Sequence, residues 1–505
     1  MKNTGKIFFL LISLLICFTI HAQNVKLTGT LKNIATTEVT FYRPAKVLSY
    51  YNFKDALITV PVINGQFTVA LIVGSPEMIE LSCTDSITGK DFSQLLFFKK
   101  GYELNIILTL NKNELEIDSE GVGANDNKKL NINSSKALTE LFNRSDSVSS
   151  SVYNYIVKEH KMDSILLAKY ISSHQPSPEF IKAWKYEIKY AILNEFYQYS
   201  EGMKHQWGWP YNRNYDKWID IQDKLFATVP LSDDNALVSF NYRGLIRMFL
   251  IRKHERLVRD WRLNKYGFLT EWYGMDTAKA NKEFLEDMTN RPWQKIIERN
   301  FHGKVKEYTY ALLLENAIES SDLKNIQSIY ADFVKEFPAS SYIKKFQPEF
   351  SKMFSRAKQP LTDKMVFVKD GDKINTWENV LSMVKGKTVF LDMWGTWCVP
   401  CRQQLEKNSH AIKEYFKGKE LGYLYIANYD QGNEQTWKQL IAYFGLEGSH
   451  ILANKKLTED IMSKVKGTSY PTYIIIHKDG SFELSKAGSP LNRELLIAQI
   501  EQALQ

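Results

Sequence analysis

Cys398 and Cys401, three residues apart in TVFLDMWGTWCVPCRQQL, are the pair in this chain whose type and spacing can do chemistry. A dithiol that close can form and break a disulfide. The run Thr388–Met393 has the β-branched and aromatic content of a short buried strand, and the residues after Cys401 have helical spacing. Both sulfurs therefore fall at the start of a helix, where unpaired N–H groups and the macrodipole favour the thiolate. The same two cysteines could hold zinc, but that needs two further ligands. The 9 histidines are scattered and no second Cys pair exists, so the spacing argues for redox chemistry with no metal and no separate cofactor. A peroxidatic site is disfavoured because the threonine, Thr396, is only two positions before Cys398 and a second thiol lies so near.

The elements around this pair come from the pattern of the rest. At 505 residues the chain exceeds one core, and 44% apolar with 24% charged residues is ordinary for a folded protein. A net charge of +8 is modest for this length and does not point to nucleic acid. The first residues, MKNTGKIFFLLISLLICFTIHAQ, read as a secretory leader (1–22) cut after Ala22. The expected location is extracytoplasmic or periplasmic, with anchoring by an uncleaved leader or a lipidated Cys17 as the alternative. Cys17 follows Leu-Leu-Ile rather than a small residue, which disfavours lipidation. Export leaves Cys83 without a neighbouring cysteine, and its alternating context IELSCTD makes it a small buried strand residue.

Residues 23–128 are a succession of alternating runs, predicting an all-β, sandwich-like domain, with Asn64-Gly65 closing a hairpin. EGVGAND lacks the third glycine of a dinucleotide fingerprint and is a loop. Residues 129–358 turn helical, with segments at Pro178–Tyr199, Asn235–Leu263, Val305–Ile318 and Leu323–Phe337. Aromatics from Trp184 to Trp218 are expected in its core. The basic run Arg243, Arg247, Arg252, Lys253, Arg256, Arg259 and Arg262 is expected to be a solvated face, with contact to an anionic membrane surface as the other reading. Residues 359–505 alternate strands and helices after a hairpin-like MVFVKDGDKIN, predicting an α/β domain with a central sheet.

WGTWCVPC followed by GTSYPTYIII resembles the thioredoxin fold and, within it, the exported TlpA and ResA-like thiol-disulfide oxidoreductases, over about Gln359–Gln505. The β-rich and helical segments resemble accessory domains that precede such domains. The resemblance implies that Cys398 is exposed and attacks, Cys401 resolves the mixed disulfide, and Asp392 is a buried carboxylate that exchanges a proton with Cys401. Pro471 matches the cis-proline facing the sulfurs, while Trp397, Pro400 and Tyr470 match the surface that receives substrate. It also implies thiol- or disulfide-bearing exported proteins as partners, and a membrane-bound thiol reductant. Val399-Pro400 offers no basic residue to stabilise a thiolate, so the motif leans towards reduction or isomerisation; Val399 also stands where the ResA motif has a glutamate. The competing expectation is a polypeptide- or glycan-binding protein that uses this fold as a scaffold.

Overall fold

A computed structural model of the chain describes residues 24–48, 56–111, 114–132, 136–207, 214–274 and 277–505. The leader, Cys17, Trp209 and Tyr211 lie outside the described residues, as does the side chain of Trp207. The chain divides into two compact units, one of residues 1–47 and 53–245 and the other of residues 48–52 and 246–505.

The first unit opens with eight strands: β1 Val25–Lys32, β2 Glu38–Tyr42, β3 Leu57–Pro61, β4 Gln66–Leu71, β5 Glu77–Thr84, β6 Asp91–Phe98, β7 Glu103–Asn111 and β8 Glu114–Val122. They form two four-stranded sheets, β4-β1-β7-β8 and β3-β2-β5-β6. Period-2 alternation gives each sheet one apolar face. Leu27, Val69, Ile106 and Leu108 from one sheet share a core with Phe41, Ile79, Leu81 and Leu96 from the other. Cys83 is buried in that core as a free thiol, and burial pushes it up from its ordinary range.

Asn64 and Gly65 both take left-handed φ, +52° and +72°, as a tight turn requires. They close a single bridge, Ile63 with Gln66, rather than the expected hairpin, and β3 and β4 then enter different sheets. Pro61, which ends β3, has no N–H with which to extend a ladder.

Helix Pro178–Trp207 follows, and Phe180, Ala183 and Trp184 complete the sandwich core. Tyr190, Phe196, Tyr197, Tyr199 and Trp218 are buried, so the aromatic concentration is packing. Beneath them His160 meets Asp163 at 2.6 Å and Glu195 at 3.1 Å. Burial opposes its protonation, but the two carboxylates carry the imidazole up to about 9.

The basic run lies on helix Phe240–Leu263 and is not the solvated face expected: Arg252 is buried and Arg243, Arg247, Arg256 and Arg259 are half-buried. Apolar spacing locates one packed face of a helix but does not report a second one covering the long basic side chains. Among the described residues no helix is long and apolar enough to cross a membrane.

The second unit continues through helices including Gly303–Glu319, Ile326–Glu336 and Ser341–Arg356. It ends in a six-stranded sheet of β9 Met365–Phe367, β10 Thr388–Trp394, β11 Leu421–Ala427, β12 Gly448–Leu452, β13 Thr472–Ile476 and β14 Phe482–Leu484, in the order β14-β13-β10-β11-β12-β9. β9 runs parallel to β12, and the chain leaves it through a short 3-10 turn at Gly371–Lys373, so the hairpin-like stretch is a single edge strand. β10 lies inside the sheet, parallel to β11 and antiparallel to β13, and every one of its residues is buried. Val389, Leu391 and Met393 fill one face of the sheet, and Phe390, Tyr473 and Ile475 the other. Helices on both faces make this an α/β layer of the thioredoxin type, which follows a β-rich and a helical region in the chain.

Candidate active site

The end of β10 and the start of helix Val399–Tyr415 enclose the cysteines. Cys398 and Cys401 are joined in a disulfide with their Cα atoms 5.3 Å apart. Cys398 is the N-cap of the helix, and its sulfur accepts the Cys401 N–H at 3.2 Å. An anion there faces the free N–H groups of the first turn, which is the environment that favours a thiolate. Pro400 stands in that first turn, where its missing N–H costs no helical hydrogen bond, and it is exposed. Cys398 itself is only 3% exposed, against the expectation that it lies open. Bonded to Cys401 and turned back under the first helical turn, it presents little surface. Cys401 is buried behind it.

Asp392 sits mid-strand, paired in register with Tyr425 on one side and Tyr473 on the other. It is 3% exposed, and its Oδ1 has no protein hydrogen-bond partner. Burial pushes its carboxyl up to about 8. The Tyr423 and Tyr473 hydroxyls are likewise without a protein partner, and with Asp392, Gln404 and Asn408 they line a small cavity of about 20 Å³. That volume suits about one water, so the polar groups there can be satisfied by solvent reaching the base of the motif helix.

Trp397 is 49% exposed. Its indole N–H donates to the Asn428 carbonyl at 2.8 Å, and its ring meets Tyr470 at 5.6 Å and Tyr429 at 6.3 Å. The three rings stand together beside the motif. Gly395 permits this, since a Cβ there would lie 2.4 Å from the Trp397 Nε1. The Tyr470–Pro471 peptide is cis, and Pro471 is buried at the entry to β13. Trp397, Cys398, Pro400 and Cys401 thus stand where β10 passes into its helix, with the Tyr470 ring against Trp397 and Pro471 following it at the entry to β13, while Asp392 lies further back within β10.

Sequence reasoning missed the groups that hold the loop before Cys398. Buried Asp430 accepts from the Thr396 N–H at 2.7 Å and from its hydroxyl at 2.5 Å. Burial raises the Asp430 carboxyl, countered by Thr396 and by the Arg402 guanidinium. Asn428 donates to the carbonyls of Trp394 at 2.9 Å and Ile426 at 3.0 Å. A signal existed: NYD follows β11, and the C-terminal ends of adjacent parallel strands converge on one edge of such a sheet. Among the described residues no group of three His, Cys, Asp or Glu is placed to hold a metal ion.

A family model described as thioredoxin-like matches residues 386–482. The thiol-disulfide oxidoreductase ResA of Bacillus thuringiensis is 32% identical over 104 residues, 20% of this chain and 54% of that protein. The thioredoxin-like protein YneN of Bacillus subtilis is 29% identical over 118 residues, covering 23% and 65% of the two chains. The chain thus spans little more than half of ResA. The thioredoxin domain of a thiol-disulfide oxidoreductase from Bacteroides vulgatus aligns with a TM-score of 0.22 at 21% identity, over 25% of this chain and 84% of that one. The C-terminal region of this chain therefore carries a thioredoxin-like domain.

Proposed function

We infer that the protein is an exported thiol-disulfide oxidoreductase that reduces or reshuffles disulfides of other extracytoplasmic proteins. The observation that carries this is the Cys398–Cys401 disulfide seated at a helix N-terminus, with Cys398 as N-cap. In the reduced enzyme the Cys398 thiolate attacks one sulfur of a substrate disulfide, forming a mixed disulfide and releasing one substrate thiolate. Cys401 then gives up its proton, attacks Cys398 and releases the second thiolate, so two electrons leave the enzyme and its disulfide is restored. Asp392, whose carboxyl burial raises to about 8, is the buried group that would take up the Cys401 proton in its ionised form and give one back in its neutral form. The exposed ring of Trp397 with Tyr470, and the exposed Pro400, form the surface on which a polypeptide lies beside the sulfurs.

Export rests on the leader reading of residues 1–22, and residues 23–128, 129–358 and 359–505 are the proposed domains behind it. A membrane-bound thiol reductant would return the enzyme to its dithiol form. Val399-Pro400 supports the reducing or isomerising direction, because it adds no positive charge to the thiolate.

Insulin reduction by the full chain tests this reading. Cys398→Ser is expected to abolish it; undiminished turnover would overturn the assignment and leave a binding protein with a redox-like scaffold.

A further inference from the structure

Strand β6 is the outer strand of the sheet β3-β2-β5-β6, and β5 pairs with its whole length on one side. Its other side is closed at one end only. There the buried side chain of Asn127 acts as a short piece of neighbouring strand: its Oδ1 accepts the Phe97 N–H at 2.8 Å and its Nδ2 donates to the Phe97 carbonyl at 2.9 Å. Backbone groups alternate in direction along a strand, so those of Leu95 and Ser93 point the same way as those of Phe97. The Leu95 carbonyl accepts from the Gln94 side-chain amide at 3.1 Å. Among the described residues the Leu95 N–H and both backbone groups of Ser93 have no hydrogen-bond partner. Natural sheets shield such edges with proline, lysine or a covering segment, and Phe92–Phe98 contains neither proline nor lysine.

Beside this open stretch lies a cavity of about 640 Å³, within the range of about 300–1,000 Å³ that ligand sites occupy. Ser93 and Leu95 line it together with Leu130, Ile132 and, from helix Pro178–Trp207, Trp184 and Glu195. All of these residues belong to the first compact unit. The charged residues of the lining are Glu80, Asp91 and Glu195 against Lys129, an acidic excess. Glu80 and Asp91 share the outer face of the sheet: the register sets Glu80 opposite Leu95 and Thr84 opposite Asp91, while the alternate residues Ile79 and Leu81 enter the core. Glu195 is 1% exposed; its Oε1 lies 3.1 Å from His160, and its Oε2 has no protein hydrogen-bond partner. His160 also meets Asp163, so two carboxylates share one imidazolium and leave negative charge at this wall.

We propose that the open edge of β6 takes an extended polypeptide segment bearing lysine or arginine, which adds a strand to the sheet. To meet Leu95 and Ser93 an occupant must offer an N–H and a carbonyl together at every second position, about 7 Å apart, and an extended peptide backbone does so. The side chains on one of its faces then stand over the outer face of the sheet, where cationic ones meet Glu80 and Asp91. Backbone pairing supplies affinity with little demand on sequence, and the carboxylates select for positive charge. The inference goes beyond the redox reading and stands apart from it, since nothing in it requires a thiol.

The test is fluorescence anisotropy of a short, cysteine-free, fluorescein-labelled peptide of alternating valine and lysine, titrated with the oxidised full-length protein. Wild type is expected to bind it with Kd below about 100 μM, and at least about tenfold more tightly than the valine–glutamate counterpart. Ser93→Pro removes an unpaired N–H on the open side of an edge strand, where proline is tolerated; it should keep the wild-type circular dichroism and weaken binding at least about tenfold. Glu80→Gln combined with Asp91→Asn should weaken binding about three- to tenfold. Should Ser93→Pro not fold, peptides N-methylated at alternate residues decide: methylating one set should cost at least about tenfold more than methylating the other, because only one set of amides faces the edge. The proposal is overturned by no saturable binding up to about 300 μM protein, by a folded Ser93→Pro or a charge-removed pair within about twofold of wild type, by equal losses from the two methylated sets, or by equal affinity for the lysine and glutamate peptides. Sedimentation of the peptide-free protein covers the other occupant: a wild-type dimer that Ser93→Pro converts to monomer would assign the edge to a second copy of this chain and overturn the proposal.

Discussion

Replacing Asp392 by Asn should make the C-terminal region more stable at neutral pH, and by an amount that depends on pH in one direction only. Burial holds the Asp392 carboxyl near 8, whereas an aspartate in an unfolded chain titrates near about 3.9. Between these values the unfolded chain has released a proton that the folded chain still holds. The raised folded value therefore contributes stability that is complete below about pH 4 and is lost as the pH rises to about 8, after which the loss is constant. Each pH unit in that window is worth about 1.4 kcal/mol, so roughly three units up to pH 7 cost the wild type about 4 kcal/mol. An asparagine is neutral throughout and close in shape. Its own unmet hydrogen bonds return about 1–2 kcal/mol of that gain, leaving the variant ahead by about 2–3 kcal/mol at pH 7 and behind by about 1–2 kcal/mol at pH 4. Urea unfolding of the oxidised full chain, followed by tryptophan fluorescence at a series of pH values, measures this; the relevant transition is the one that moves when the disulfide is reduced. Parallel pH profiles for the two proteins, or a variant less stable than wild type at pH 7, would show that Asp392 is not the buried, proton-holding group described.

Two further substitutions probe the surface beside the sulfurs. Gly395→Ala places a methyl 2.4 Å from the Trp397 Nε1, so the indole must leave the Asn428 carbonyl; the expected cost is about 1–3 kcal/mol, seen as a lower thermal midpoint with altered indole fluorescence. Trp397→Ala removes a half-exposed ring from the proposed substrate surface and should slow reduction of insulin about tenfold while changing reduction of a small aromatic disulfide less than about twofold. Equal losses on both substrates would mean that the ring serves the sulfurs rather than the polypeptide.

The elements were legible where one rule of spacing governed them. Alternation gave the eight strands of the sandwich, and 3.6-residue spacing gave the helices, because one apolar face per element is what those periods report. β12 escaped because Gly-Ser-His-Ile-Leu has neither alternation nor a long apolar run, and its buried His450 is satisfied only by a local bond to the Leu446 carbonyl at 2.7 Å. The Asn64-Gly65 turn was read correctly as a turn and wrongly as a hairpin, since strand partners are chosen by the whole sandwich. The site divided the same way. Cys398 and Cys401 are legible as a dithiol from residue type and spacing, whereas the roles expected of Asp392, Trp397 and Pro400 come from the family resemblance. Asp430 and Asn428 gain their meaning from which segments meet, and no local pattern states that an aspartate after β11 will hold the loop threonine Thr396.

The charges around the disulfide bear on the direction of exchange. The end of a helix favours an anion at its N-cap by about 0.3–1 kcal/mol at the surface and up to about 2 kcal/mol when partly buried. Cys398 has that position and the Cys401 N–H at 3.2 Å. Other positive charge is sparse or neutralised: Val399-Pro400 carries none, and Arg402 acts on the Asp430 carboxylate. Asp392, protonated below about pH 8, adds no repulsion at neutral pH, and so leaves the helix terminus as the main influence on the thiolate. A helix terminus alone accounts for a shift of about one unit in a thiol, well short of the five units that separate a free cysteine from the strongly oxidising members of this fold. Because a strongly oxidising disulfide depends on a strongly stabilised thiolate, the arrangement supports the reducing or isomerising direction proposed for this protein.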